Sequence, residues 1–130
     1  MKKKFSLSWK SSKQSRKQRK YRYNSPFHIK RRFISTHLAK ELRDKYKKRS
    51  IGLKKGDKVK IMRGQFKGKT GKVERIDIKR SSVYITGIEV IKKDGTKTLF
   101  PFNPSNLLIT ELSIDDKKRQ QILDRKKGGK

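Results

Sequence analysis

Residues 64–73 read GQFKGKTGKV, and the Gly68-Lys69-Thr70 triplet inside them is the combination with which a phosphate loop closes on a nucleotide. Such a loop needs four residues between its first glycine and the Gly-Lys-Thr, so that enough backbone N–H groups wrap the phosphates, and a helix directly behind it. Here three residues separate Gly64 from Gly68. The GKVERIDIK that follows puts Ile76 and Ile78 on one side and Arg75 and Asp77 on the other, the two-residue period of a strand. Spacing and context both exclude a nucleotide site. Cysteine is absent, and the two imidazoles, His28 and His37, lack a nearby carboxylate cluster, so no metal is expected. Asp115 and Asp116 are adjacent, and neighbouring positions on a helix point in different directions, whereas an acid and a base must converge on one substrate. Neither a cofactor nor an enzyme such as an NTPase or nuclease is expected.

Charge is the stronger signal. Forty Lys and Arg against 11 Asp and Glu leave a net charge of +29 on 130 residues. A compact fold this basic repels itself, so a polyanionic partner is expected. Nucleic acid outranks a membrane, because no apolar run approaches the roughly 18 residues needed to span and no helical segment joins a basic face to a broad apolar one. Membrane insertion is not expected. The N-terminal MKKKFSLSWKSSKQ starts like a secretory signal but has no apolar stretch of about 7 or more residues behind it, so a cytoplasmic location is expected. A hydrophobic content of 30% cannot supply a core along the whole chain, which predicts one small domain with extensions.

The charge divides unevenly: residues 1–50 hold 19 basic and 2 acidic groups (+17), 51–110 hold 14 and 5 (+9), and 111–130 hold 7 and 4 (+3). Residues 1–50 therefore read as a basic extension. From Lys10 to Arg22 nearly every residue is polar or basic, with Trp9 before the run and Tyr21 and Tyr23 at its end, and alone in water this arm is expected to be disordered. Aromatics beside closely spaced arginines suit stacking on unpaired bases while guanidiniums clamp phosphates. Ser25-Pro26 reads as an N-cap and first helical residue for a short basic helix, PFHIKRRFI. A second helix is predicted from Thr36 to Arg49 on the stripe Leu38, Leu42, Tyr46. His28, beside Lys30, Arg31 and Arg32, admits two readings, a surface or packing histidine and a phosphate or base contact.

Between Ile51 and Thr110 the period becomes two. The runs KVKIM, KVERIDI, VYITGIEVI, TLFPF and NLLIT predict five short strands, with a two-residue hairpin turn at Asp94-Gly95 and another reversal at KRSS, residues 79–82. Five short twisted antiparallel strands usually close into a small barrel. The predicted fold is thus mainly β: a barrel over 51–110, able to fold without the first 50 residues, and a helical tail over 111–130. In the tail Ser113 reads as the cap, with Asp116 three residues on complementing the helix dipole. The glycines at 64, 68 and 71 build a turn between two strands, from which Lys67, Lys69 and Lys72 project toward phosphates of a nucleic-acid backbone.

Residues 54–77, KKGDKVKIMRGQFKGKTGKVERID, resemble a KOW motif, found in ribosomal and transcription elongation proteins on small barrels resembling SH3 domains. The flanks SSKQSRKQRKYRYNSPFHIKRRFIS, LAKELRDKYKKRSI and PFNPSNLLITELSIDDKKRQQIL resemble the archaeal and eukaryotic form of the large-subunit ribosomal protein twenty-four family, called twenty-six in eukaryotes. The likeness covers nearly the whole chain. It departs at Gly52, where a proline is usual, and at Asn103, where the family has histidine, which puts any histidine contact there in doubt. The resemblance implies an SH3-like barrel and binding to the 5′ domain of the large ribosomal RNA early in assembly. It also implies a place near the nascent-chain exit among neighbouring ribosomal proteins, within reach of exit-site factors. The residues singled out for ribosomal RNA are Lys13, Arg16, Lys17, Arg19, Lys20, Tyr21, Arg22, His28, Lys30, Arg31 and Arg32 in the extension, Arg63, Lys67, Lys69 and Lys72 in the motif, and Ser105 and Asn106. For Pro104-Ser105-Asn106 a strand-capping turn is the competing reading. The rival function is a KOW-type transcription elongation or RNA-binding module, which shares the glycine turn; in an elongation module the basic arm has no role.

Overall fold

The computed structural model describes residues 5–6 and 12–125; Trp9 and Lys10 of the arm lie outside them. Chain order runs α1 (Ser15–Asn24), α2 (Phe27–Lys30), a 3-10 turn (Arg31–Phe33), β1 (Ser35–Leu38), α3 (Lys40–Tyr46), β2 (Ser50–Gly52), β3 (Lys58–Ile61) and β4 (Thr70–Asp77). It continues with β5 (Ser82–Ile85), β6 (Glu89–Ile91), β7 (Lys97–Leu99), a 3-10 turn (Pro104–Asn106), β8 (Leu107–Glu111) and α4 (Lys117–Asp124). Six strands form one sheet in the order β2-β1-β8-β3-β4-β5, while β6 and β7 form a separate ribbon. The chain is thus mixed α/β around a strand-rich sheet. In place of the expected five strands closing into a barrel, the sheet is not closed: among the described residues no pairing joins β2 to β5.

The extra strands have a local cause. Ile34, Thr36 and Leu38 are buried while Ser35 is exposed, a strand period hidden inside the stripe that predicted a helix from Thr36. Pairing wins there because β1 lies parallel to β8 on one side and antiparallel to β2 on the other. The helix begins only at Lys40, where Leu42 and Tyr46 still pack against the core. The predicted run VYITGIEVI divides into β5 and β6, and TLFPF into β7 and an isolated bridge between Phe102 and Val83. The β6–β7 connection is a three-residue loop over 93–95, not a two-residue turn: Lys92 N bonds Thr96 O, Gly95 N bonds Lys92 O, and Gly95 takes φ 81°. That is a type I turn followed by a left-handed residue. The reversal expected at 79–82 is a four-residue loop over 78–81.

The core gathers residues from every strand of the six-stranded sheet: Leu38 from β1, Ile51 from β2, Val59 and Ile61 from β3, Val73 from β4, Val83 and Ile85 from β5, Leu107 and Ile109 from β8. Burying each contributes about 1.5–3 kcal/mol relative to exposure. At Gly71 the sheet is tightest, since an added Cβ would stand 2.5 Å from Ile85 Cγ2 and 2.9 Å from Thr86 O. Gly71→Ala is therefore expected to lower stability by about 1–3 kcal/mol, measured by urea unfolding, because a backbone oxygen cannot swing aside as a side chain does.

The tail is clasped to this core by charge. Arg119 and Asp57, with side chains 2% and 0% exposed, meet in a bidentate pair, Nη1 to Oδ1 at 2.6 Å and Nη2 to Oδ2 at 2.7 Å. Asp57 also accepts from Lys54 N and Ser113 N, and Arg119 donates to Ser113 O and Gly52 O. Those bonds hold Ser113 outside the helix, so the α4 cap is Asp116, which accepts from Lys118 N at 2.8 Å, rather than Ser113. The ammonium of Lys54 and that N–H hold the Asp116 carboxyl below the usual carboxylate range. Leu123 completes the contact, buried in the core.

Candidate nucleic-acid interface

Helix α1, SRKQRKYRYN, carries five cations, no acid and no buried residue. Like charges one turn apart repel and none of the helix's residues is buried, so an external anion would stabilise it. Lys13, Arg16, Lys17, Arg19, Lys20 and Arg22 are all exposed. The arm expected to be disordered alone is helical from Ser15, a length over which Lys, Arg and Gln all favour helix. Its end is fixed by Ser25, whose hydroxyl donates to Tyr21 O instead of capping α2. Tyr21 is half-buried, its ring 4.8 Å from Phe5 and 6.2 Å from Phe33, and the Arg22 guanidinium lies 5.6 Å over Phe33. His28, Arg31 and Arg32 are exposed and Lys30 is half-buried.

The sheet brings the remaining cations to the same side as the chain leaving this arm. His37 stands opposite Leu108, Leu107 opposite Ile61 and Lys60 opposite Thr70. The start of β1, the start of β8, the end of β3 and the start of β4 therefore share one end of the sheet. Arg31 and Arg32 lead into β1, Pro104–Asn106 into β8, and the glycine loop joins β3 to β4. Hydrogen bonds lock the three together: Thr36 Oγ1 donates to Pro104 O at 3.2 Å and Met62 N to Asn106 O at 2.8 Å. The segments that meet here, 27–36, 61–70 and 104–107, contain none of the 11 acidic residues.

Within the loop, Gly64 and Gly68 hold φ 87° and 90°, a left-handed conformation that side chains disfavour, and Gly68 N bonds Ile61 O to close it. Phe66 anchors the loop on Phe100 and Phe102 at 5.2 and 5.9 Å. Lys69 lies 5.3 Å over the Phe66 ring, and Arg63, Lys67, Lys69 and Lys72 are all exposed. Gly71 makes a close approach to β5. Asn103 Oδ1 accepts from Ser105 N at 3.1 Å and Ser105 Oγ at 3.0 Å, so Asn103 caps the turn that presents Ser105. Among the described residues, no three His, Cys, Asp or Glu side chains gather to hold a metal, and no helix is long and apolar enough to cross a membrane.

This arrangement of an acid-free sheet end, a glycine loop and a basic helix lies within residues 12–126, which match the family of ribosomal proteins described as L26 in eukaryotes, together with its archaeal form. The chain belongs to that family. Relatives include the large ribosomal subunit protein uL24 of Methanothrix thermoacetophila, 47% identical over 114 residues, covering 88% of this chain and 98% of the relative. The protein of the same name from Methanosphaera stadtmanae is 45% identical over 115 residues, again 88% and 98% of the two chains. The family consists of ribosomal proteins, structural components and not enzymes.

The geometry thus joins most residues singled out from the sequence, Arg31, Arg32, Arg63, Lys67, Lys69, Ser105 and Asn106 around one sheet end and the α1 cations ahead of it, while Lys72 stands farther along β4, opposite Lys58 at the start of β3. It engages Tyr21 in packing. Sequence reasoning missed Phe27, which stands exposed beside His28, and the capping role of Asn103; an Asn-Pro-Ser-Asn string is the signal for the latter. Replacing Lys67, Lys69 and Lys72 together by alanine should weaken RNA binding to a similar extent for unrelated sequences, since cations on phosphates carry little base information. Filter binding against several RNAs checks this, and a loss confined to one sequence would contradict it.

Proposed function

We propose that this chain is a structural constituent of the large ribosomal subunit that holds ribosomal RNA between the acid-free end of its sheet and the basic arm ahead of it. The observation that carries the reading is α1, five cations on ten residues with none buried, a helix that a bound polyanion would stabilise. The family and the printed names of its relatives supply the particle. In finer terms, residues up to about 33 form the arm, threading between RNA helices and ordering there. The curved sheet acts as a rigid SH3-like surface, and the tail braces it. The resemblance of the flanking segments supports the 5′ domain of the large-subunit RNA as the binding site, a role early in assembly, and a position in the cytoplasmic particle near the nascent-chain exit. Neighbouring ribosomal proteins and exit-site factors are the protein partners that go with that position.

The test is sedimentation of a tagged full chain in high salt, with chemical footprinting of the bound RNA. The proposal expects the chain to stay with the large subunit after loosely held factors have left, and to protect nucleotides in the 5′ domain. Release to the top of the gradient would favour the KOW-type transcription elongation or RNA-binding module instead.

A further inference from the structure

Tyr23 and Phe27 are 83% and 65% exposed, the two aromatic rings left in water among the described residues. Every other described ring of the arm has an internal use: Tyr21 packs between Phe5 and Phe33, and Phe33 also carries the Arg22 guanidinium. Tyr23 and Phe27 flank the corner where α1 ends at Asn24 and the chain turns through extended Pro26, ψ 161°, into α2. The Ser25 bond to Tyr21 O fixes that corner. Their sequence neighbours are the exposed Arg22 and His28, and no acid occurs in residues 1–40. Two rings standing apart from any other exposed apolar side chain of the arm, among cations, match poorly with an apolar protein groove. They match a nucleotide well, because every base offers a π-face and every linking phosphate a charge.

We propose that Tyr23 and Phe27 stack on unpaired bases, so that the α1–α2 corner takes a single-stranded or bulged segment of the bound RNA and not a continuous duplex. This rests on the RNA-holding function above. Stacking tolerates any base, while the requirement for an open face excludes paired ones. The corner thus supplies a preference for RNA shape that the lysines of the glycine loop cannot.

The test uses the full chain with a short single-stranded RNA carrying 2-aminopurine and with a perfect duplex of equal length. On binding, wild-type protein should quench the 2-aminopurine fluorescence. The Tyr23→Leu, Phe27→Leu double variant keeps apolar bulk and helix propensity but lacks π-faces. It should lose about fivefold or more in single-strand affinity per ring, by the usual scale of base stacking. Quenching should disappear, while duplex affinity stays within about twofold and the salt slope is unchanged because no charge is removed. Tyr23→Phe should bind like the parent. Undiminished single-strand binding by the leucine variant would overturn the proposal and assign the rings to an apolar protein partner. Equal losses on single strand and duplex would overturn it as well. A wild-type chain that binds neither RNA would instead sink the RNA-holding function itself.

Discussion

Replacing Arg119 by alanine is expected to destabilise the protein by about 3–5 kcal/mol, because it leaves the Asp57 carboxylate buried without its counter-charge. The pair is fully enclosed, and Asp57 fixes Lys54 N and Ser113 N as well as the guanidinium. One substitution thus loosens the approach to β3, the segment after β8 and the seat of α4 together. Urea unfolding of the full chain measures the loss. Lys118→Ala, one residue away and exposed, should stay within about 0.5 kcal/mol of the parent. The double variant Asp57→Leu, Arg119→Met removes the uncompensated charge but leaves Lys54 N and Ser113 N without their acceptor, so it should recover only part of the loss. An Arg119→Ala protein as stable as the parent would mean that α4 is not clasped through this pair.

Truncation should separate arm from sheet at Ile34. A chain of residues 34–130 keeps Ile34, Leu38 and Ile51 in the core and both partners of β8. It should unfold cooperatively. A chain of residues 51–130 loses Ile34 and Leu38, all of β1 and the start of β2, and leaves the β8 edge unpaired. Removing two such core side chains costs about 2–5 kcal/mol each, which consumes most of the roughly 5–15 kcal/mol that holds a small domain folded. Thermal unfolding of the two chains decides the matter. A cooperative transition in residues 51–130 with an unchanged midpoint would contradict the place of β1 in the sheet.

That second case marks where the sequence was legible and where it was not. The alternation in KVKI, KVERIDI and NLLIT identified β3, β4 and β8, because a strand with one buried face writes its pattern directly. The left-handed glycines at 64 and 68 and the failure of the nucleotide reading were legible from local spacing. Strand β1 was hidden, since Leu38 belongs both to a helical stripe with Leu42 and Tyr46 and to a strand period with Ile34 and Thr36, and only the partner β8, some 70 residues on, chooses between them. The Arg119–Asp57 pair is 62 residues apart and each member resembles any surface charge, so nothing local announces it. Likewise, the basic arm was plain from composition, but which of its aromatics face water depends on packing between Phe5, Tyr21 and Phe33.

The central claim is that RNA is held by the arm's cations acting on phosphates, and the salt dependence of affinity reads it most directly. In the full chain, Arg16, Lys17, Arg19, Lys20 and Arg22 can all be replaced by glutamine without touching a buried side chain, so the sheet should melt as before. The slope of log affinity against log salt should become shallower by about 0.7–0.9 for each phosphate no longer neutralised, the lower figure for single strands and the higher for duplex. The account predicts a drop of several such steps with an unaltered melting temperature. An unchanged slope in that five-fold variant would show that the arm does not clamp RNA.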